Sequence, residues 1–163
     1  MSPIEMQEDS ILALGYVTAY FSELELVVHA MAWQLLNLRT LEEGMEATSR
    51  MRMSRALKLV SRLVANSQAD SETKKALRRF SREVKKAGIS RARLLHLHWV
   101  EEDSPYTTRR VMDVAHQVLD ACFLGRRTFD NLFGYNVHDS PFFSRRLPRE
   151  RPIRPDLQAP QRG

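Results

Sequence analysis

The hydrophobic positions of the chain follow a helical period most clearly over residues 14–38. Steps of three and four residues connect Leu14, Val17, Phe21, Leu24, Val28, Met31, Leu35 and Leu38. This spacing predicts a long amphipathic helix that packs lengthwise on other helices. Flanking apolar residues, Ala19, Leu26 and Trp33 among them, make the stripe wider than one partner helix would cover. We therefore expect either burial in the centre of the monomer or contact with a second copy of the chain.

The rest of the pattern predicts further helices and favours an all-α, antiparallel bundle of about five. Ser2-Pro3-Ile4-Glu5 is a capping box that starts the first helix, and Gly44 is expected to close it. Further helices are expected at about 49–66, 71–88, 89–100 and 107–133, separated by Asp70-Ser71, Gly88 and Asp103-Ser104-Pro105. The last of these carries its own seam of Val111, Val114, Val118, Cys122, Phe129 and Leu132. No stretch alternates with the period of two that is typical of strands.

The composition changes at residue 135. Prolines and arginines are interleaved from there on, a mixture that cannot bury a core. We expect a helical domain at 1–134 and a flexible, disordered basic tail at 135–163. The pair Phe142-Phe143 is placed to pin the start of this tail to the bundle.

Charge is distributed unevenly, which the net value of +5 conceals. Residues 1–49 have a net charge of −7 and residues 50–98 one of +11. Such a basic block favours an anionic partner, and the alternative is a solvated face that docks on the acids of the chain itself. The residues expected to hold a polyanion are Lys74, Lys75, Arg78, Arg79, Lys85 and Lys86.

The remaining composition points to a cytoplasmic protein that does not enter a membrane. A single cysteine, Cys122, excludes an internal disulfide framework and a cysteine-based zinc site. The first residues are acidic and read as neither a signal nor a transit peptide. No apolar run approaches the roughly 20 residues that cross a bilayer.

A short motif at the end of the basic block carries a family resemblance. The sequence Arg91-Ala92-Arg93-Leu94-Leu95-His96 has arginine and histidine five residues apart, and Trp99 follows. It resembles the motif of the HEPN superfamily, small helical bundles in which one helix carries arginine, four to six residues, and then histidine. The long first helix, with Gly15 and Phe21-Ser22-Glu23, also resembles that of bacterial members.

The resemblance implies a metal-independent endoribonuclease whose site is shared across a homodimer, as in a toxin or a host-defence enzyme. Arg91 would stabilise the phosphate in the transition state, and His96 would act as general base or acid. Arg93 and His98 are auxiliary candidates. No metal and no cofactor is implied, and a neutralising partner protein is compatible with the family.

Two features leave alternatives open. Ala92 stands where family members usually have a polar residue, often asparagine. Residues five apart on an ideal helix point about 140° apart, so either Arg91 wraps around the helix or a second protomer completes the site. The alternative functions are a non-catalytic RNA- or protein-binding module and a phage-encoded inhibitor whose basic face blocks a nucleic-acid site.

Overall fold

The computed structural model describes residues 8–95, 105–140 and 142 of the chain. Within this part every regular element is helical, and no strand occurs in it. The elements are α1 (Glu8–Leu35), α2 (Leu41–Thr48), α3 (Met53–Ala65), α4 (Ser71–Leu95) and α5 (Pro105–Phe133), followed by a 3-10 turn (Val137–Asp139). The all-α prediction is therefore confirmed, whereas the capping box at residues 2–5 lies outside the described residues.

The long helices α1 and α5 form the centre of the helical bundle. Helix α1 packs along α5 and α3, and α4 packs on α5. The α5 seam predicted from Val111 to Leu132 is buried throughout. In α1, Val17, Leu24, Val28 and Met31 are buried, and the remaining seam positions are half-buried, although Leu38, the last of them, lies beyond the end of α1. The hydrophobic spacing therefore identified the core faces of both helices correctly.

The directions of the helices differ from pair to pair. Helices α3 and α4 are antiparallel, because Ser61 lies beside Ser81 while Met53 and Ile89 line the same groove. Along α1 and α5, by contrast, the contacts advance in the same direction. The Cys122 thiol donates to the Tyr20 carbonyl oxygen at 3.0 Å, and Arg126 pairs with Glu23 one turn further along both helices. The contacts of α3 with α4 thus run antiparallel, and those of α1 with α5 run parallel.

Two glycines that were expected to end helices lie inside them. Gly44 is buried in the middle of α2, where an added Cβ would lie 2.5 Å from the Trp33 indole. Gly88 lies within α4, which continues without a break to Leu95. The chain leaves α1 instead through Asn37, whose φ of 58° is left-handed, and α2 begins at a capping box made by Thr40 and Glu43.

The start of the predicted tail packs against the bundle. Tyr135, Val137 and Phe142 are buried. The centroids of the Phe142 and Trp33 rings are 5.2 Å apart, in an edge-on arrangement. The chain reaches this position after Gly134, whose φ of +77° turns it out of α5. Residues 141 and 143–163 lie outside the described part, so the flexible tail itself stays a prediction.

One helix has the length and apolar character of a membrane span. The segment Ser10–Leu35 of α1 meets that test by length and composition, although the sequence was expected to hold no such run. A core helix of a soluble protein passes the same test, and α1 is in fact packed between α3 and α5. This property of α1 therefore does not distinguish a core helix from a membrane span.

Candidate nucleic-acid interface

The outer side of α4 forms a continuous basic surface, which we call the basic face. It consists of Lys75, Arg78, Arg79, Arg82, Lys85, Lys86 and Arg93, all of them exposed. Steps of three, four and seven residues place these side chains on one side of the helix, opposite the buried Leu77, Phe80 and Val84. From Lys75 to Arg93 the face is about 27 Å long at 1.5 Å per residue.

Two of the predicted polyanion ligands have partners within the chain. Lys74 is half-buried, and its Nζ donates to the Ser67 carbonyl oxygen at 3.2 Å, next to the Asp70 cap of α4. Lys86 pairs with Glu83 at 3.1 Å, although its side chain remains 62% exposed. An exposed pair of this kind contributes little and is screened by salt, so Lys86 can still turn to a phosphate. Lys74 instead connects the start of α4 to the preceding loop through Ser67, and it lies at the edge of the basic face.

Helix α3 extends the positive surface with residues that the sequence-based list omitted. Arg52, Arg55, Lys58 and Arg62 are exposed. Arg55, Lys58 and Arg62 lie on the side of α3 opposite Leu57, Val60 and Val64, as their spacing in the sequence predicts, and Arg52 is the residue before α3 begins. Lys58 of α3 and Lys85 of α4 line the same groove, so the positive surface of α3 adjoins the basic face.

Arg91 occupies a different side of α4 from the basic face. Its guanidinium carbon lies 4.3 Å from the centroid of the Phe21 ring on α1, and both side chains are half-buried. Nine residues separate Arg91 from Arg82, which amounts to about 180° around the helix. Arg93 follows Lys86 by one heptad and belongs to the basic face. The structure thus separates Arg91 from Arg93, its auxiliary candidate.

The contact with Phe21 positions Arg91 and leaves the N–H donors of its guanidinium available. A cation that lies over an aromatic ring is held electrostatically and loses little of its hydrogen-bonding capacity, because guanidinium N–H groups point outward in the plane. Among the described residues no carboxylate forms a salt bridge with Arg91. This arginine is therefore positioned between α1 and α4 with donors available for an anion.

The histidines of the motif, His96 and His98, lie outside the described residues, so the distance between Arg91 and His96 stays untested. Ala92, at the position where the family usually has a polar residue, is exposed. The three other histidines are described. His29 stacks on Trp33 with its Nε2 3.2 Å from the Met51 carbonyl oxygen, His116 is exposed on α5, and His138 lies 3.9 Å from Glu23.

A second polar cluster joins α1 to α5 away from the basic face. Arg126 pairs with Glu23, and the side chains of both are about one-third exposed or less. The nearby Cys122 thiol is buried, and its pKa rises from the ordinary 9.0 to about 12, because burial and the charge of Glu23 disfavour the thiolate. A neutral thiol that donates to a backbone carbonyl is a structural group rather than a nucleophile.

The described residues contain no group of three or more histidine, cysteine, aspartate or glutamate side chains that could hold a metal ion. Comparison of the chain with models of protein families, with curated proteins and with solved structures found no match.

Proposed function

We propose that the protein binds RNA through the basic face and cleaves it at Arg91 and His96, as an RNA-directed effector of the HEPN type. The observation that carries the proposal is the concentration of exposed arginine and lysine on one side of α4, continued on α3. Such a surface attracts a polyanion over long range and binds its phosphates with the release of counterions. The acidic residues of α2, Glu42, Glu43 and Glu46, lie on a separate helix.

RNA is favoured over DNA by the chemistry of the motif. A neutral His96 would accept the proton of a ribose 2′-OH, and the resulting oxygen would attack the adjacent phosphorus. The bond from phosphorus to the 5′-oxygen then breaks, a proton is delivered to the leaving oxygen, and a 2′,3′-cyclic phosphate remains. Arg91 would donate hydrogen bonds to the non-bridging oxygens, whose negative charge increases in the transition state.

A second candidate function is RNA binding without cleavage. Two observations favour it. Ala92 cannot form the hydrogen bonds that a polar residue would form beside Arg91, and Arg91 lies about 180° around α4 from Arg82. An RNA strand on the basic face would have to pass around the end of α4, or extend from a second protomer, to reach Arg91.

We propose that the protein forms a homodimer, in which RNA bound on the basic face of one protomer could reach Arg91 of the other. The first half of α1 exposes a row of apolar and small residues, Ile11, Leu12, Gly15, Tyr16 and Ala19, and Leu12 is 58% exposed. Phe123 of α5 is also exposed, at 53%. Apolar side chains that recur at helical spacing on a surface are typical of a protein interface. We further propose a cytoplasmic location and, following the family, a neutralising partner protein.

A cleavage assay tests the catalytic part of the proposal. Wild-type protein is incubated with a single-stranded RNA in EDTA, beside Arg91→Ala, Arg91→Lys and His96→Ala variants. We expect cleavage by the wild type and a loss of about 100-fold or more in each variant, including Arg91→Lys, because lysine cannot donate a forked pair of hydrogen bonds. An RNA with a 2′-deoxyribose at the mapped cleavage position should bind equally well and remain intact.

Binding measured in the same samples separates the two candidates. Arg91→Ala should leave the dissociation constant for RNA within about threefold of the wild-type value, since Arg91 lies off the basic face. Binding without any cleavage by the wild type would support the non-catalytic module. Cleavage that persists in both alanine variants would exclude Arg91 and His96 as the site.

A further inference from the structure

An open groove runs between α3 and α4, beside the basic face. Its volume is about 500 Å³. The residues that line it are Met53, Ser54, Leu57, Lys58 and Ser61 of α3 and Ser81, Val84, Lys85, Gly88 and Ile89 of α4. Its floor is apolar, and one lysine from each helix lies along it. The groove shares Lys58 and Lys85 with the proposed RNA-binding surface, but its apolar floor has no part in the proposed RNA chemistry.

Small side chains keep the groove open. The hydroxyl oxygens of Ser61 and Ser81 are 3.5 Å apart, and a Cβ added to Gly88 would meet nothing within 4 Å. Ile89 borders the groove with 54% of its surface exposed. The lining spans eight residue steps on each helix, from Met53 to Ser61 and from Ser81 to Ile89, which is about 12 Å of helix. The groove therefore has the length of about two helical turns.

Helix α2 has the complementary properties. It contains eight residues, so it is also about 12 Å long. Its exposed side carries the apolar pair Leu41 and Met45, one turn apart, and Met45 is 58% exposed. Beside this pair lie Glu42 and Glu46, which are also one turn apart and exposed. Both acids lie on the same side of the apolar pair, so α2 offers an apolar edge next to an acidic one to a groove with an apolar floor and two lysines.

We propose that α2 of a second copy of the chain docks in the groove between α3 and α4. Met45 lies against Leu57 and Val84, and Glu42 and Glu46 approach Lys58 and Lys85. The basic faces of two copies repel each other, so a like-with-like contact of two grooves is disfavoured. Thr48 at the end of α2 is only five residues from Met53 at one end of the groove. A two-fold axis near this point lets each copy insert its α2 into the other.

Engineered disulfides test this contact, because the native Cys122 is buried and its thiol stays neutral. A Met45→Cys chain is mixed with an Ile89→Cys chain under mild oxidation, and the covalent dimer is followed over time. The control pairs Met45→Cys with His116→Cys, an exposed residue of α5 that lies outside both the groove and the apolar row of α1. We expect the first pair to cross-link at least about tenfold faster than the control pair. Equal rates would overturn the proposal.

Charge reversal provides the second arm of the experiment. In the Met45→Cys and Ile89→Cys pair, Lys58→Glu with Lys85→Glu in the groove copy should reduce the cross-linking rate at least about tenfold. Adding Glu42→Lys with Glu46→Lys to the α2 copy should restore most of it. Failure of this rescue would contradict docking of α2.

A third variant separates the groove from the dimer contact proposed for α1. Gly88→Leu places a side chain in the open groove without a clash at Cβ, and it should prevent the cross-link while α4 remains helical. Cross-linking that is unaffected by Gly88→Leu would show that the groove is not the docking site. If only Leu12→Cys chains cross-link with one another, the α1 dimer stands and the docking of α2 is wrong.

Discussion

The buried indole of Trp33 covers Gly44 and holds α2 close to α1. A glycine in a polar stretch was expected to end a helix, but it lies within α2 because the Trp33 indole covers it. Trp33 is buried, and its Nε1 donates to the Thr48 hydroxyl at 3.1 Å, which in turn donates to the Gly44 carbonyl oxygen. The glycine therefore marks a close approach of two helices, which no local pattern reveals.

Substitution of this glycine should destabilise the protein. Gly44→Ala gains about 1 kcal/mol of helix propensity but forces a methyl group to within 2.5 Å of the indole, and overpacking of this kind costs about 1–3 kcal/mol. We expect a net loss of up to about 2 kcal/mol in the free energy of unfolding by urea. Gly88→Ala is the matched control, since its Cβ meets nothing, and it should stabilise by about 0.5–1 kcal/mol. The same sign for both variants would contradict the packing described.

The buried thiol of Cys122 offers a second test of the packing. Because the chain has one cysteine, a thiol reagent reports on this residue alone. Burial raises the pKa of the thiol to about 12, so at pH 8 labelling should be at least about 100-fold slower in the folded protein than in urea. The raised pKa also means that this group stabilises the fold below pH 9 and that its contribution is lost as the pH rises toward 12. Fast labelling of the native protein would contradict this.

The sequence predicted the helices well and their ends less well. The hydrophobic spacing located the buried faces of α1, α4 and α5, because one side of each helix packs over its whole length. It divided α4 at Gly88, since a glycine in a helix is unfavourable by only about 1 kcal/mol, and packing outweighs that amount. It missed α2, whose eight residues form too short a pattern.

The motif shows which part of the candidate site the sequence could predict and which part depends on packing. Arg91 and Arg93 are two residues apart, so about 200° of rotation separates them on α4, and the two cannot share a surface. That separation follows from the helix itself and could have been predicted. The contact of Arg91 with Phe21 joins residues 70 positions apart and depends on how α4 packs against α1, which the sequence does not specify.

The exposed apolar row of α1 makes self-association of the protein testable. Leu12→Glu introduces a charge into the row, and we expect a dimer in light scattering to become a monomer because burial of an unpaired carboxylate is unfavourable. Leu95→Glu is the control, as Leu95 is 50% exposed at the end of α4 and should leave the dimer intact. A wild-type protein that is monomeric at all concentrations would contradict the α1 interface.

The most direct test of the account is the salt dependence of RNA binding. The affinity for a single-stranded RNA is measured across salt concentrations for the wild type and two triple variants. The basic-face variant carries Arg78→Gln, Arg82→Gln and Lys85→Gln. The control variant loses the same charge on α5, through Arg109→Gln, Arg110→Gln and Arg127→Gln. Each phosphate contact contributes about 0.7 to the slope of log K against log salt, so the basic-face variant should lose about 2 from that slope and the control almost nothing. Equal slopes for all three proteins would show that the basic face of α4 does not hold the RNA.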